Sequence, residues 1–351
     1  AGKSDVAARL LSVLIGTATI PLLYALARVI ARSGFRDEAI SKSQAGDCFA
    51  ASRLATLAPH ASAGVTNSRV ALFAALVLAL APFHVYYSQQ VRMYGLVTLL
   101  GLASVYLFIR LLEMTPGKLK TALVALAYIL VTTAALYTQY YAAFIIAFQI
   151  SGVLFLTWRD RRPATDERLA SRFSPLAHWL TAWSAIALLY LPWVIYAGPK
   201  LYAYVTAKVA IEKYPPLDPI TFLAQHLTAF SVGHVTAWTS LAWASVVVIA
   251  LAVVGSIQVY RVTCKQGNKS LVHLPTWLLA SLSLLVPLAL GYLVNLVYPF
   301  HPVHGERLLL FAAPAFYLLV ALGINALWER RALLGALVII VVAIISALSL
   351  A

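Results

Sequence analysis

The stretch ALLGALVIIVVAIISALSL at Ala332–Leu350 decides the class of fold, because it carries no charged side chain and is long enough to cross a bilayer as a helix. Hydrocarbon offers a peptide group no partner, so each backbone polar group in such a stretch must be paired internally, as a helix pairs it. Working outward from it, nine more stretches of the same kind precede it, at about 8–30, 70–87, 94–113, 119–136, 141–158, 175–197, 237–259, 275–297 and 307–328. The whole chain is 62% apolar and only 11% charged, with a mean hydropathy of +0.86, which excludes an ordinary soluble domain. A transmembrane β-barrel would alternate apolar and polar residues over about ten positions, and no segment does. A lone signal peptide does not account for apolar runs that recur to the end of the chain. The expectation is an all-α membrane protein of about ten transmembrane helices, with residues 1–351 as one transmembrane domain.

Lys and Arg set the orientation, since cytoplasmic loops retain them. With the loops after spans 1, 3, 5, 7 and 9 inside, those loops and the adjoining span ends hold 19 of the 26 basic residues. This predicts a multi-pass protein of the plasma (inner) membrane whose functional face points out. The net charge of +14 is then explained by retention signals and anionic lipid heads, and nucleic acid is excluded as a partner because the basic loops are short and lack interleaved aromatics. Cys48 and Cys264 both fall inside, where thiols stay reduced, so no disulfide is expected. Asn268-Lys269-Ser270 has the form of a glycosylation acceptor but lies on the same inner side.

Two connecting segments stand out. Segment 31–69 is polar, rich in Ala and Ser, and much longer than its neighbouring spans require, so it reads as a tolerated cytoplasmic insertion. Segment 198–236 reads as an outer loop that covers an external cavity. Within it Pro215-Pro216 stops one element, and Asp218-Pro219 has the order of an N-cap and a first helical turn. Phe222, Leu223, Leu227 and Phe230 then recur at helical spacing, which predicts a helix lying on the membrane surface. No internal repeat is evident.

Of the twelve acids only Asp5, Glu212, Asp218 and Glu306 fall outside, so external acid–base chemistry has few carboxylates to use. Polar residues nevertheless crowd the outer ends of the spans. His84, Tyr86, Tyr87, Ser88, Gln89, Gln90, Arg92 and Tyr94 follow span 2; Tyr137, Gln139, Tyr140 and Tyr141 join spans 4 and 5; His301, His304, Glu306 and Arg307 precede span 9. An aromatic belt at the interface accounts for the tyrosines. It does not account for Arg92 and Arg307, boundary cations that either snorkel to lipid phosphates or hold an anionic ligand. No metal is implied, because no outer cluster offers several oxygen ligands at close spacing, and no cofactor is implied either.

The run Ala81-Pro82-Phe83-His84-Val85-Tyr86-Tyr87-Ser88-Gln89-Gln90-Val91-Arg92-Met93-Tyr94 resembles the signature of GT-C type membrane glycosyltransferases, the superfamily of protein mannosyltransferases and lipid A aminoarabinose transferases. Residues Gly2–Gly16 resemble the start of that family's second span, and Glu306-Arg307-Leu308 ahead of Pro314 resembles its late Arg-Tyr-Leu…Pro segment. The resemblance implies a GT-C-like helical bundle that transfers a sugar from a polyprenyl-phosphate carrier to an acceptor on the outer or lumenal face, with membrane lipids around it. It implies donor-phosphate binding by Arg92 and Arg307, and a substrate cavity that includes Gln90, Tyr94, Gln139, Tyr140 and His304. Gln90 stands where the family has Glu, and Leu308 where it has Tyr. The family's principal acid belongs to a loop that aligns upstream of Ala1, so Glu306 is the candidate acid in this sequence, and the chain by itself is expected to lack transfer activity.

Two other readings stay open on the residues alone. One is a transporter or flippase, suggested by ten spans and a cationic outer mouth; the other is a non-catalytic membrane partner, suggested by Gln90. Mid-span charges of the kind that mark ion paths are not found. The orientation yields a direct test: a membrane-impermeant thiol reagent added to intact cells should leave Cys264 unlabelled and should label it once the cytoplasmic side is opened.

Overall fold

The computed structural model describes residues 3–44, 57–114, 117–159, 166–212, 214–234, 242–265, 276–299 and 305–350. Among them there is no strand, and twelve α-helices follow one another: α1 (Lys3–Gln44), α2 (Leu57–Leu80), α3 (Pro82–Ser88), α4 (Met93–Glu113), α5 (Leu119–Thr138), α6 (Ala143–Arg159), α7 (Asp166–Glu212), α8 (Pro219–Val232), α9 (Ala244–Lys265), α10 (Thr276–Val297), α11 (Ala313–Arg330) and α12 (Ala332–Leu350). Short 3₁₀ segments occupy Tyr140–Ala142 and Gly305–Ala312. Eight helical stretches are long and apolar enough to cross a membrane, and the protein is a multi-pass, all-α membrane protein. The expected span 70–87 is a ninth only as a bent pair, because the helix breaks by 60° ahead of Pro82. The expected span 237–259 is shorter than its sequence suggested: a turn at Ala242 and Trp243 precedes α9, whose apolar part is Ala244–Gln258.

Both connecting segments need correction. Residues 31–44 continue α1, and 57–69 already belong to α2, so the polar segment 31–69 is largely helical where it is described. Polarity misled here. Ala, Arg, Glu, Lys and Gln are good helix formers whether or not they face lipid, and Pro59 sits in the first turn of α2, where its missing N–H costs nothing. Likewise 198–212 is not loop. α7 runs through Pro192 and Pro199 to Glu212, as prolines can within membrane helices when neighbouring groups re-satisfy the backbone. The connection proper is only the non-helical stretch before Pro219. The helix expected after it is present as α8, and its cap is as the sequence indicated: Asp218 Oδ1 accepts from the amides of Ile220 at 3.1 Å and Thr221 at 3.0 Å. Hydrogen bonds from Thr221 hold the Asp218 carboxyl below the usual range.

The chain forms two compact units, where the sequence reads as one transmembrane domain. The first comprises Ala1–Val91, Leu227–Leu284 and Ala313–Ala351; the second comprises Arg92–His226 and Leu285–Ala312. In the first, α11 is the central helix, buried from Ala313 to Ala326 and packed against α2, α9 and α12. α9 and α11 meet backbone to backbone. A side-chain carbon on Gly255 would run into the Leu319 carbonyl, and one on Gly323 into the Leu251 carbonyl. Trp328 fills the space that Gly335 leaves and meets the Phe73 ring at 5.6 Å.

In the second unit α4, α5, α6 and α7 share a polar chain inside an apolar bundle. Ser104 Oγ lies 2.8 Å from Thr132 Oγ1 and accepts from Gln149 Nε2 at 2.9 Å; Tyr128 donates to Gln149 Oε1 at 2.6 Å and accepts from Trp183 Nε1 at 3.2 Å. Each group in that chain has a partner, as an apolar interior demands. Phe108 and Trp179 pack beside it with ring centres 4.8 Å apart.

The glycine contacts predict a sharp contrast. Gly255→Ala and Gly323→Ala should each push α9 off α11 and lower the unfolding temperature, by an overpacking cost of about 1–3 kcal/mol. Gly198→Ala, whose nearest neighbour is a Val194 methyl at 3.9 Å, should leave it unchanged or raise it. Thermal unfolding of the purified variants in one detergent checks both.

Candidate functional site

The second unit contains a cavity of about 1050 Å³ built from helix ends and the connections between them. One wall is the C-terminal part of α7, where Leu201, Tyr204, Val205, Lys208 and Val209 follow one another at helical spacing on a single face. The facing wall is the end of α10, through Leu290, Leu293, Val294, Leu296 and Val297. Tyr214 and Pro216 from the α7–α8 connection, Tyr298 and Pro299 after α10, and Tyr140, Tyr141 and Phe144 from the α5–α6 corner close it further. Tyr94 and Arg307 complete the polar part. Among the described residues the lining thus combines six tyrosines, two cations and two long apolar faces, with no carboxylate.

Arg307 is placed by a short chain of local constraints. It belongs to the 3₁₀ segment Gly305–Ala312, whose regularity breaks at Leu309 (φ −108°, ψ 18°). Gln139, 4% exposed at the end of α5, donates from Nε2 to the Leu308 carbonyl at 3.2 Å. Gly291 on α10 leaves room for the Leu309 side chain, which a larger residue would strike. The two anchors fix Leu308 and Leu309, directly after Arg307, which lines the cavity. Its guanidinium carbon lies 5.7 Å from the Tyr94 ring centre, and its Nε is buried with no hydrogen-bond partner among the described residues. Lys208 reaches the cavity from α7, with Nζ 5.4 Å from the Tyr298 ring and 5.8 Å from the Tyr204 ring. Arg307 and Lys208 thus present positive charge to a surface that is otherwise aromatic and aliphatic, where a cation favours an anionic partner. Chemically the cavity suits an amphiphile with an anionic head.

The sequence-derived site is gathered only in part. Tyr94, Tyr140 and Arg307 line the cavity; Gln139 stands behind it as the prop of Leu308. Arg92 does not join Arg307. It is the exposed N-cap residue of α4 and is absent from the lining. Glu306 is partly buried but does not line the cavity either, since successive residues of its tight turn face different ways. Gln90 belongs to the first unit, and His304 lies outside the described residues.

The signature run itself is mostly structural. Phe83, His84, Tyr87 and Ser88 are buried on α3. The Thr19 hydroxyl lies 2.9 Å from His84 Nε2 and donates to the Gly16 carbonyl, which is itself 3.1 Å from that nitrogen, so the histidine fastens α3 to α1. A side chain at Gly16 would collide with Ser88. Tyr87 and His234 form a second short contact, hydroxyl to Nε2 at 2.5 Å.

No family model, curated protein or solved structure matches the chain. Among the described residues no group of three or more metal-ligating side chains converges.

Lys208, Tyr204, Tyr214 and Tyr298 were not among the site residues read from sequence. Treating 198–236 as loop hid the first two, although the spacing of Leu201, Tyr204, Val205 and Lys208 continues the helical period of the preceding span across Pro199. No local signal marks Tyr214 and Tyr298, which reach the cavity through the chain's path.

His226, at the edge of this unit on α8, carries a pH dependence. Its ring lies 4.1 Å from Phe222, its Nδ1–H donates to the Phe222 carbonyl at 2.8 Å, and burial outweighs that bond and holds the imidazole down to about 4. The unfolded chain takes up this proton near pH 6.5, whereas the folded chain resists it until about 4. The stabilisation is therefore complete above 6.5 and is lost as pH falls from 6.5 toward 4, by roughly 3 kcal/mol. His226→Gln should flatten the decline in unfolding temperature between pH 7 and pH 4.5 relative to the parent.

Proposed function

We propose that the protein is a glycosyltransferase that moves a sugar from a polyprenyl-phosphate carrier to an acceptor on the outer face of the membrane. One observation carries the reading: two cations, Arg307 and Lys208, line a tyrosine-rich, aliphatic cavity large enough for a lipid-linked sugar head. The resemblance of residues 81–94 to the GT-C signature supports the same chemistry, as does the cavity's makeup from chain segments that the Lys/Arg distribution assigns to the outer side. The plasma (inner) membrane is the location that goes with it.

In this reading the carrier phosphate sits against Arg307 and Lys208, the sugar among the tyrosine hydroxyls, and the first isoprene units along the aliphatic faces of α7 and α10. As the sugar carbon–oxygen bond breaks, negative charge grows on the phosphate, and two fixed cations stabilise it where water is scarce. The acceptor hydroxyl attacks the same carbon and must lose its proton to a base. Glu306, which adjoins Arg307 in the chain but does not line the cavity, is the candidate acid for that role. The lack of a carboxylate in the lining favours a second reading, a non-catalytic partner that holds the lipid phosphate without transferring its sugar.

Binding of a polyprenyl phosphate to the protein in nanodiscs should weaken at least about tenfold in Arg307→Ala and in Lys208→Ala. Arg307→Lys should recover only part of the loss, because a point charge does not replace a planar fork. Arg92→Ala should bind like the parent. Sugar transfer from a polyprenyl-phosphate donor that is lost in Glu306→Gln with binding intact would support the enzyme; binding without transfer, the outcome the sequence leads one to expect of this chain by itself, fits both readings, and no binding at all would end both.

A further inference from the structure

The side chain of Asn295 fastens the connection between α7 and α8 to α10. Asn295, fully buried near the end of α10, accepts from the Leu217 amide through Oδ1 at 3.4 Å and donates to the Leu217 carbonyl through Nδ2 at 3.0 Å. The reason lies in the connection's composition. Pro215, Pro216 and Pro219 have no N–H, so this stretch has few ways to pair its own backbone, and the Asp218 side chain is already committed to capping α8. An amide side chain offers a donor and an acceptor side by side, which is what a single extended residue needs. Asparagine in an apolar helix is otherwise unfavourable, and here both of its functions are used on one backbone residue.

The clasp has a place in the site. Tyr214 and Pro216, just before Leu217, line the cavity, and so do Leu293, Val294, Leu296 and Val297 on either side of Asn295, whereas Asn295 does not. We infer that Asn295 is a positioning residue that holds the strap Tyr214–Asp218 against α10 as a wall of the cavity, and so sets how readily a ligand enters and leaves. The inference rests on the reading of this cavity as a lipid-phosphate site only for the identity of the ligand; the strap's closure stands on the two hydrogen bonds. No residue of the clasp touches the reacting groups in the proposed mechanism. Its effect is on access and residence.

The test uses the chain with Cys48 and Cys264 changed to Ser and a single cysteine in the cavity, Leu290→Cys, in lipid nanodiscs. Asn295→Leu keeps the heavy-atom count and the branch at Cγ, though it is larger, and removes both bonds; Asn295→Ser, too short to make both, serves if the leucine variant fails to fold. Either should raise the rate of maleimide labelling at position 290 severalfold, on the order of tenfold for the leucine change, while a control cysteine at the buried position Ala135→Cys on α5 labels as slowly as before. A purely structural role would accelerate both sites together, and that result would overturn the inference, as would unchanged labelling at 290. Farnesyl phosphate is the ligand probe. It should protect position 290 in the parent and dissociate severalfold faster from the Asn295 variants. Faster labelling at 290 alone, with no protection by farnesyl phosphate in the parent, would uphold the strap and count against the lipid-phosphate reading instead.

Discussion

Hydrocarbon gives a peptide group nothing to bond to, and the arrangement of this chain follows from where that constraint is met by helix and where it is met by side chains. Within the spans the backbone pairs with itself. At the helix ends it does not, and three breaks have a side-chain partner: the Asp218 carboxylate for the first amides of α8, the Gln139 amide for the Leu308 carbonyl, and the Asn295 amide for both polar groups of Leu217. These partners are short, uncharged or capping groups on neighbouring elements. They turn irregular backbone into defined backbone, and the cavity is framed by the segments they fix.

The two units solve the packing problem differently. In the first, helices approach until only glycine fits between backbones, as at Gly255 and Gly323, so cohesion comes from close dispersion contact over long helix faces. In the second, α4 to α7 are joined by a run of hydrogen bonds through Ser104, Thr132, Gln149, Tyr128 and Trp183. A satisfied polar run of this kind tolerates little sliding, because any shift leaves a hydroxyl or amide unpaired in an apolar setting. The cavity belongs to this second unit, where the tyrosines and cations need fixed positions.

The all-helical membrane class was legible from hydropathy alone, and so was the α8 cap, because Asp-Pro followed by helical apolar spacing is a local signal. Helix length was not. Segment 31–69 read as an insertion because it is polar, and 198–212 as outer loop because it lies between two apolar spans, yet neither signal outweighs good helix formers in the one and a continuing apolar face in the other. The site was legible where it coincides with span boundaries, as at Tyr94, Tyr140 and Arg307. Arg92 shows the limit of that logic: a boundary cation in a recognised run can still be a helix cap at the surface, since sequence gives the depth of a residue better than its azimuth. His84 shows the complementary case. A histidine in a signature reads as chemistry, but its neighbours Thr19 and Gly16 come from more than sixty residues earlier, and no local pattern announces a tertiary contact of that kind.

The length of α7 sets it apart from the other spans. Its apolar run Leu176–Ile211 has 36 residues, which at about 1.5 Å each is roughly 54 Å of helix against about 30 Å of hydrocarbon. The excess has to be absorbed by tilting, by bending at Pro192 and Pro199, or by lying among the lipid headgroups, and Tyr204 and Lys208 lie in the last third of this run. Hydrophobic mismatch is therefore built into one wall of the cavity. One cavity wall is thus carried by a helix longer than a single perpendicular crossing requires.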